Sequence, residues 1–90
     1  MIKNIRVHLD AFGDKRENVF AFDADHGDDK ASCEYVFHFS NAPEPLLDEL
    51  QTRFASKWRA LGLRSLSVGD IVQVNDRKYR CESFGWKELS

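Results

Sequence analysis

The side chains most suited to ligand binding begin with four carboxylates in the first third of the chain. They are Asp23, Asp25, Asp28 and Asp29. Carboxylate oxygens suit Ca²⁺, and Glu34 stands at the twelfth position counted from Asp23, where an EF-hand loop has its bidentate glutamate. However, the glycine falls at the fifth position rather than the sixth, and the flanking residues are typical of strands rather than helices. The pattern therefore predicts an acidic, solvated loop without a metal ion.

Basic residues gather in the second half of the chain. One run, with no acid between Gln51 and Val68, comprises Arg53, Lys57, Arg59 and Arg64. A second group, on a predicted hairpin, comprises Arg77, Lys78 and Arg80. Series of this kind contact the phosphates of nucleic acids. The sequence pI of about 5.9 argues against that class, because nucleic-acid-binding domains usually exceed a pI of about 9.

The histidines and cysteines form no recognisable catalytic arrangement. The histidines, His8, His26 and His38, have no metal-ligand spacing with one another. Arg80 would lower the pKa of the neighbouring Cys81 thiol, but a place in the middle of a predicted strand favours a small buried side chain. Motifs of nucleotide-binding loops, serine hydrolases and zinc proteases are absent. We therefore predict a protein that is not an enzyme and uses no cofactor.

Length and composition limit the architecture. Of 90 residues, 42% are hydrophobic and 31% are charged, which is typical of a folded domain and excludes disordered or collagen-like chains. We expect one domain over residues 1–90. The longest uncharged stretch has nine residues, whereas a membrane helix needs about 20. Without an export signal, Cys33 and Cys81 are expected to be free thiols in a reducing cytoplasm.

Alternating residues and short apolar runs predict five strands, which cover residues 2–12, 19–22, 35–39, 71–74 and 78–83. The first two are expected to pair, and an Asn75–Asp76 turn to join the last two. Residues 84–89 form either a short strand or a packed tail.

One amphipathic helix is predicted after the Pro43–Pro45 segment, and Gly62 ends it. Its apolar stripe comprises Leu46, Leu47, Leu50, Phe54, Trp58 and Leu61. The fold class is therefore α+β: a mainly antiparallel sheet in the order β-β-β-α-β-β, with one helix packed on one face.

The two halves of the chain carry opposite net charge. Residues 1–50 have five Lys/Arg and eleven Asp/Glu, and residues 51–90 have eight Lys/Arg and four Asp/Glu. Such an asymmetry marks either an interaction surface or two faces that attract each other within the fold. The sequence leaves both interpretations open.

A series of spaced residues near the C-terminus carries a family resemblance. It reads Arg-Ser-Leu-Ser-Val-Gly-Asp-Ile-Val over 64–72, then Tyr79, then Ser-Phe-Gly-Trp over 83–86. This series resembles the YodL-like domain of mobile-element polyvalent proteins, and small uncharacterised proteins of actinobacteria and their phages. The resemblance covers residues 64–89. It implies a phage, plasmid or conjugative-element setting, and it assigns no activity or catalytic residue.

The same series has a structural interpretation. Ser67 can bond the backbone of a turn, Gly69 can adopt an unusual φ, and Asp70 can accept from N–H groups before the next strand. Gly85 would let the chain bend so that Phe84 and Trp86 both reach the core. We therefore expect these residues to support the fold rather than form a site.

Two functions follow as expectations, with a Cys- or His-based enzyme as a third. The first is a phage or mobile-element accessory protein, monomeric or weakly dimeric, that binds a host or element-encoded protein and no membrane. Its expected contacts are Asp23, Asp25, Asp28, Asp29, Arg53, Lys57 and Arg59. The alternative is a small nucleic-acid-binding domain. Its expected contacts are Arg53, Lys57, Arg64, Arg77, Lys78 and Arg80.

Overall fold

The computed structural model describes residues 2–25 and 27–89, which form two strands, two helices and three further strands. The strands are β1 (Lys3–Leu9), β2 (Arg16–Ala24), β3 (Ile71–Val74), β4 (Arg77–Cys81) and β5 (Trp86–Leu89). The helices are α1 (Asp29–Asn41) and α2 (Glu49–Ala60), with a 3-10 turn at Glu44–Leu46 between them. Among the described residues, no helix is long and apolar enough to cross a membrane.

All five strands pair antiparallel in one sheet, in the order β2-β1-β3-β4-β5. The predicted α+β fold with a mainly antiparallel sheet is confirmed, and so is the pairing of β1 with β2. The Asn75–Asp76 turn joins β3 to β4, and Asn75 adopts the positive φ of 54° that such a turn requires. β2 and β5 are the two edges of the sheet.

The predicted strand at 35–39 is wrong, because these residues lie inside α1. Asp28 caps this helix by accepting a hydrogen bond from the Ala31 N–H at 2.8 Å. The buried side of the helix comprises Ser32, Cys33, Val36 and Phe39. That spacing of three and four residues is helical, and its burial outweighs the high β propensity of the local aromatic and β-branched residues. The order of elements is therefore β-β-α-α-β-β-β, with two helices rather than one.

Helix α2 begins later than predicted and buries only part of its apolar stripe. Asp48 forms a capping box with Gln51, so the helix starts at Glu49 instead of at the prolines. Trp58 is buried and Phe54 is partly buried. The stripe residues that remain exposed are Leu46, Leu50 and Leu61. The domain therefore leaves apolar surface of α2 uncovered.

Both helices pack on the same face of the sheet. The Phe20 ring of β2 lies with its centroid 5.8 Å from that of Phe39 in α1 and 5.3 Å from that of Trp58 in α2. Side chains on the opposite face alternate with those of the core, as Arg6 does between buried Ile5 and Val7. The sheet thus has one face covered by helices and one open face.

Candidate functional site

The acidic residues near α1 are mostly used by the fold. Asp28 is the N-cap of α1, and Asp23 accepts a hydrogen bond from the Asn4 amide at 3.1 Å. Asp29 accepts from Lys3 at 2.9 Å and from the Tyr79 hydroxyl at 2.6 Å. The four predicted contact carboxylates are therefore not one free acidic surface.

The pair formed by Asp29 and Tyr79 joins α1 to β4 electrostatically. The hydrogen bond from Tyr79 and then that from Lys3 hold the pKa of Asp29 below its usual value. Burial and the bond to Asp29 raise the pKa of Tyr79 to about 12. The carboxylate is thus kept ionised and the phenol neutral.

The calcium-like spacing does not assemble a site. Glu34 lies in α1, where its carboxylate accepts a hydrogen bond from the Trp86 indole N–H at 2.7 Å. Within 2–25 and 27–89, no group of three or more His, Cys, Asp or Glu side chains could hold a metal ion. His26 lies outside the described residues.

Arg64, one of the predicted nucleic-acid contacts, is bound by two carboxylates within the fold. Its guanidinium donates to both oxygens of Asp70, at 2.6 and 2.9 Å, and to both oxygens of Asp14, each at 3.1 Å. It also stacks on the Phe12 ring, 4.6 Å from the centroid. These two ion pairs lie within the protein and use all the guanidinium nitrogens of Arg64. Arg64 is therefore not available to a phosphate backbone.

Asp70 is the centre of this polar cluster and supports the structural interpretation of the C-terminal series. Its side chain is fully buried and also accepts from the backbone N–H groups of Asp10, Ala11 and Ser67, each at 2.8 Å. Burial raises its pKa, but the bonds from Arg64 and the three N–H groups outweigh burial, so the pKa lies below its usual value. Asp70 therefore ties the β1–β2 loop to the start of β3.

Gly69 is required beside Asp70. It has a φ of +103°, and a Cβ there would lie 3.1 Å from the Cα of Ala11. The prediction that Phe84 reaches the core is wrong, because its side chain is 98% exposed, whereas Trp86 is buried as predicted. The tight turn at 83–85 directs only the second aromatic residue inward.

Cys33, Cys81, His8 and His38 take part in packing or in hydrogen bonds within the fold. Both cysteines are buried, and burial raises the pKa of the Cys33 thiol to about 12 and that of Cys81 above its usual value. Neither is therefore primed as a thiolate nucleophile. On the open face, Nδ1 of His8 accepts from the Asn18 N–H at 3.1 Å, so the network assigns the proton to Nε2, which donates to Gln73. His38 lies in α1, with Nε2 at 3.2 Å from the Leu46 carbonyl oxygen.

The basic residues of α2 remain on the surface. Arg53 forms an exposed ion pair with Glu49 at 3.0 Å, which leaves Lys57 and Arg59 as exposed cations of the helix. Lys57 borders an open, mainly apolar groove of about 460 Å³ between α2 and β2. The groove is lined by Asn18, Val19, Phe20, Ala21, Phe22, Phe54, Lys57, Ala60 and Leu61. Lys57 is the only charged residue among these lining residues, so the groove combines one positive charge with a mainly apolar surface.

Exposed and partly buried apolar side chains line this groove. The Leu61 side chain is 58% exposed at the end of α2. The rings of Phe22 and Phe54 meet across the groove, with their centroids 4.6 Å apart and both only partly buried. Apolar surface of this kind marks binding sites more often than chance exposure does.

The hydrogen-bonding pattern of β1 determines which backbone groups of β2 are free. The Asn75 N–H donates to the Asn4 carbonyl at 2.8 Å, so even-numbered residues of β1 bond toward β3. Because successive residues of a strand point in opposite directions, the odd-numbered residues of β1 bond toward β2.

The register then assigns the groups on the outer edge of β2. The residues opposite Lys3, Ile5 and Val7 are Ala24, Phe22 and Phe20, which therefore bond to β1. Ala21 and Asp23 direct their N–H and C=O groups to the open edge, beside the groove. The first part of β2 is irregular, with a register shift opposite His8 and Asn18 at a φ of 50°, so the regular edge covers residues 20–24.

The groove and the free edge were missed by sequence reasoning. The sequence pattern predicts β2 only at 19–22 and does not specify the order of strands, so it cannot identify an edge. The exposed leucine at the end of the predicted stripe, Leu61, was the available signal. Comparisons with protein-family models, with curated proteins and with solved structures find no match to this chain. The resemblance of residues 64–89 to YodL-like domains therefore stays a prediction.

Proposed function

We propose that this protein binds another protein by accepting an extended segment of it as an added strand along β2. The single observation that carries this proposal is the position of the groove directly beside a regular, unpaired sheet edge. Peptides that extend a sheet gain affinity from main-chain hydrogen bonds and specificity from pockets for alternate side chains. Both components are present here on adjoining surfaces.

The geometry limits the chemistry of the partner segment. Five residues of regular edge, 20–24, accommodate a strand about 16 Å long. Side chains opposite Phe20 and Phe22 would enter the groove, so alternate residues of the partner should be apolar. Lys57 favours an acidic residue next to them, because it is the one charge at the groove. The expected partner segment is therefore apolar at every second position and acidic at one end.

This proposal keeps the protein-binding function and changes its site. Lys57 is retained, while Asp28 and Asp29 are assigned to the fold. The resemblance of the C-terminal residues supports a host or mobile-element protein in the cytoplasm as the source of the segment. The buried thiols, with Cys33 raised in pKa, favour a binding role over a catalytic one.

A displayed library of ten-residue peptides tests the proposal, with Ala21→Pro as the decisive variant. Proline at Ala21 removes one N–H from the open edge without removing a bond to β1, a position that edge strands tolerate. Selected peptides should show the alternating apolar pattern and lose at least about tenfold in affinity for this variant, since a ladder bond and its neighbours are lost.

Glu88→Pro is the matched control, because Glu88 sits on the other sheet edge. The Glu82 N–H donates to the Gly85 carbonyl, so alternation directs the Glu88 N–H away from β4. This variant should bind as the wild type does. Equal losses in both variants, or peptides without the alternating pattern, would contradict the proposal. Dimerisation abolished by Ala21→Pro would identify a second copy as the occupant instead.

A further inference from the structure

The open face of the sheet concentrates positive charge in a chain whose net charge is −2. Four cations project from it: Arg6 in β1, Lys78 and Arg80 in β4, and Lys87 in β5. The register places Arg6 and Lys78 on either side of Gln73, and Arg80 directly beside Lys87. Neighbouring strands lie about 4.8 Å apart, so these cations of β1, β4 and β5 share one face, with Gln73 and Ile71 of β3 between them.

The acids of this face lie at its margins. Glu82 pairs with Arg80 at 3.1 Å, and Asp23 lies at the β2 edge, where it accepts from Asn4. Asp28, Asp29, Glu34, Asp48 and Glu49 lie in or beside the two helices, on the covered side, whereas Asp10 and Glu17 lie at the β1–β2 end of the open face. Part of the charge asymmetry between the two halves of the sequence therefore separates the two sides of the sheet: many acids lie on the helix-covered side, and four cations lie on the open face.

A shallow depression of about 300 Å³ extends the basic surface toward the β1–β2 loop. His8 and Ile71 line it, together with Lys15, Arg16 and Lys78 and the acids Asp10 and Glu17. Both ring nitrogens of His8 make hydrogen bonds, Nδ1 with the Asn18 N–H and Nε2 with the Gln73 side-chain oxygen. The three cations of the depression are therefore its main attraction for a ligand, and that ligand would be anionic.

The face offers charge without an apolar centre. Protein interfaces have an apolar core rich in aromatic side chains, whereas this face has only the partly buried Ile71 and Leu89 between its cations. A surface of this type complements a polyanion. Because sheets twist, a flexible single strand can follow this face across its width, whereas a rigid duplex would meet it along one line.

We propose that the open face binds the phosphate backbone of single-stranded nucleic acid without sequence preference. This site differs from the one expected from sequence. Of those residues, only Lys78 and Arg80 belong to it, and Arg6 and Lys87 complete it. The described strand residues of this face include no Phe, Tyr or Trp to stack bases, so affinity comes from phosphate contacts and depends strongly on salt. The proposal is independent of the groove beside β2.

Fluorescence anisotropy with a labelled oligothymidylate of about 20 nucleotides tests this inference. The logarithm of the association constant should fall with the logarithm of salt concentration at a slope of about −0.7 per phosphate, near −3 for four contacts. The double variant Lys78→Gln/Lys87→Gln should reduce the steepness by about 1.4 and weaken binding roughly tenfold or more at about 50 mM salt.

The control is Lys30→Gln/Arg59→Gln, which removes the same charge from exposed positions of the two helices. It should leave affinity and slope close to those of the wild type. Equal loss in both double variants, a salt-independent affinity, or no binding at about 50 mM salt would overturn the proposal. So would tighter binding of a duplex of equal length, or equal competition by polyglutamate, which would identify a general acidic ligand.

Discussion

On the helix-covered side of the sheet, the charged groups nearest the core are tied to one another, whereas on the open face cations extend into solvent. Asp70 is surrounded by Arg64 and three backbone N–H groups, and Asp29 by Lys3 and Tyr79. Lys78 and Lys87 are exposed, and neither makes an ion pair among the described residues. The sign of a side chain's charge therefore does not by itself identify a binding residue. The number of ion pairs and hydrogen bonds that the side chain makes within the protein is the better guide.

The largest effect should come from breaking the Asp70 cluster. Asp70→Asn keeps the shape of the side chain but removes the charge that Arg64 and three N–H groups bind. Removing one partner of a buried ion pair costs about 3–5 kcal/mol of unfolding free energy. Urea denaturation followed by tryptophan fluorescence measures this loss. A loss of unfolding free energy below about 1 kcal/mol would contradict the contrast between the bound charges near the core and the exposed charges of the open face, since Asp70 would then behave as a surface charge.

An intermediate effect should appear at high pH, through Tyr79 and Cys33. Both groups have a folded pKa raised to about 12, so the unfolded chain loses their protons first. Stability that is fully present below pH 9 should therefore decline as pH rises toward 12.

The variant Tyr79→Phe isolates the contribution of the phenol. Thermal melts between about pH 9 and 12 should show a shallower decline for this variant than for the wild type, because it no longer has a phenol to ionise. Identical profiles would mean that the Tyr79–Asp29 contact does not persist in solution.

The smallest effect on stability should come from the open face. Lys78→Gln/Lys87→Gln should change the unfolding free energy by less than about 0.5 kcal/mol, because both side chains are solvated. The same denaturation experiment measures it. A loss near that of Asp70→Asn would show that the open face is structural, and the contrast between the two sides would fail.

Local patterns predicted the sheet better than the helices. Strands β1, β3 and β4 have clear alternation, and their turn residues, such as Asn75, agree with it. At 35–39 the same rule gave a strand, because Tyr35, Phe37 and Phe39 alternate as strand residues do. These residues are helical because Asp28 caps α1 and because one side of α1 is buried against the sheet. That burial depends on the tertiary structure, which the local sequence does not show.

The candidate sites depended still more on tertiary structure. Basic residues close in sequence were separated: Arg64 joined Asp70, Lys57 bordered the groove, and Lys78 reached the open face. Residues distant in sequence, such as Arg6 and Lys87, were brought to one surface. Strand order decides these placements, and composition or spacing does not specify strand order.

The most direct test of the central claim is amide hydrogen exchange at the edge of β2, measured by NMR with and without a selected peptide. In the free protein, the amides of Ala21 and Asp23 should exchange rapidly, while those of Phe20 and Phe22 are protected by bonds to β1. Saturating peptide should slow Ala21 and Asp23 by at least about tenfold. Protection of Ala21 and Asp23 already in the free monomer, or unchanged exchange on peptide binding, would contradict strand addition at this edge.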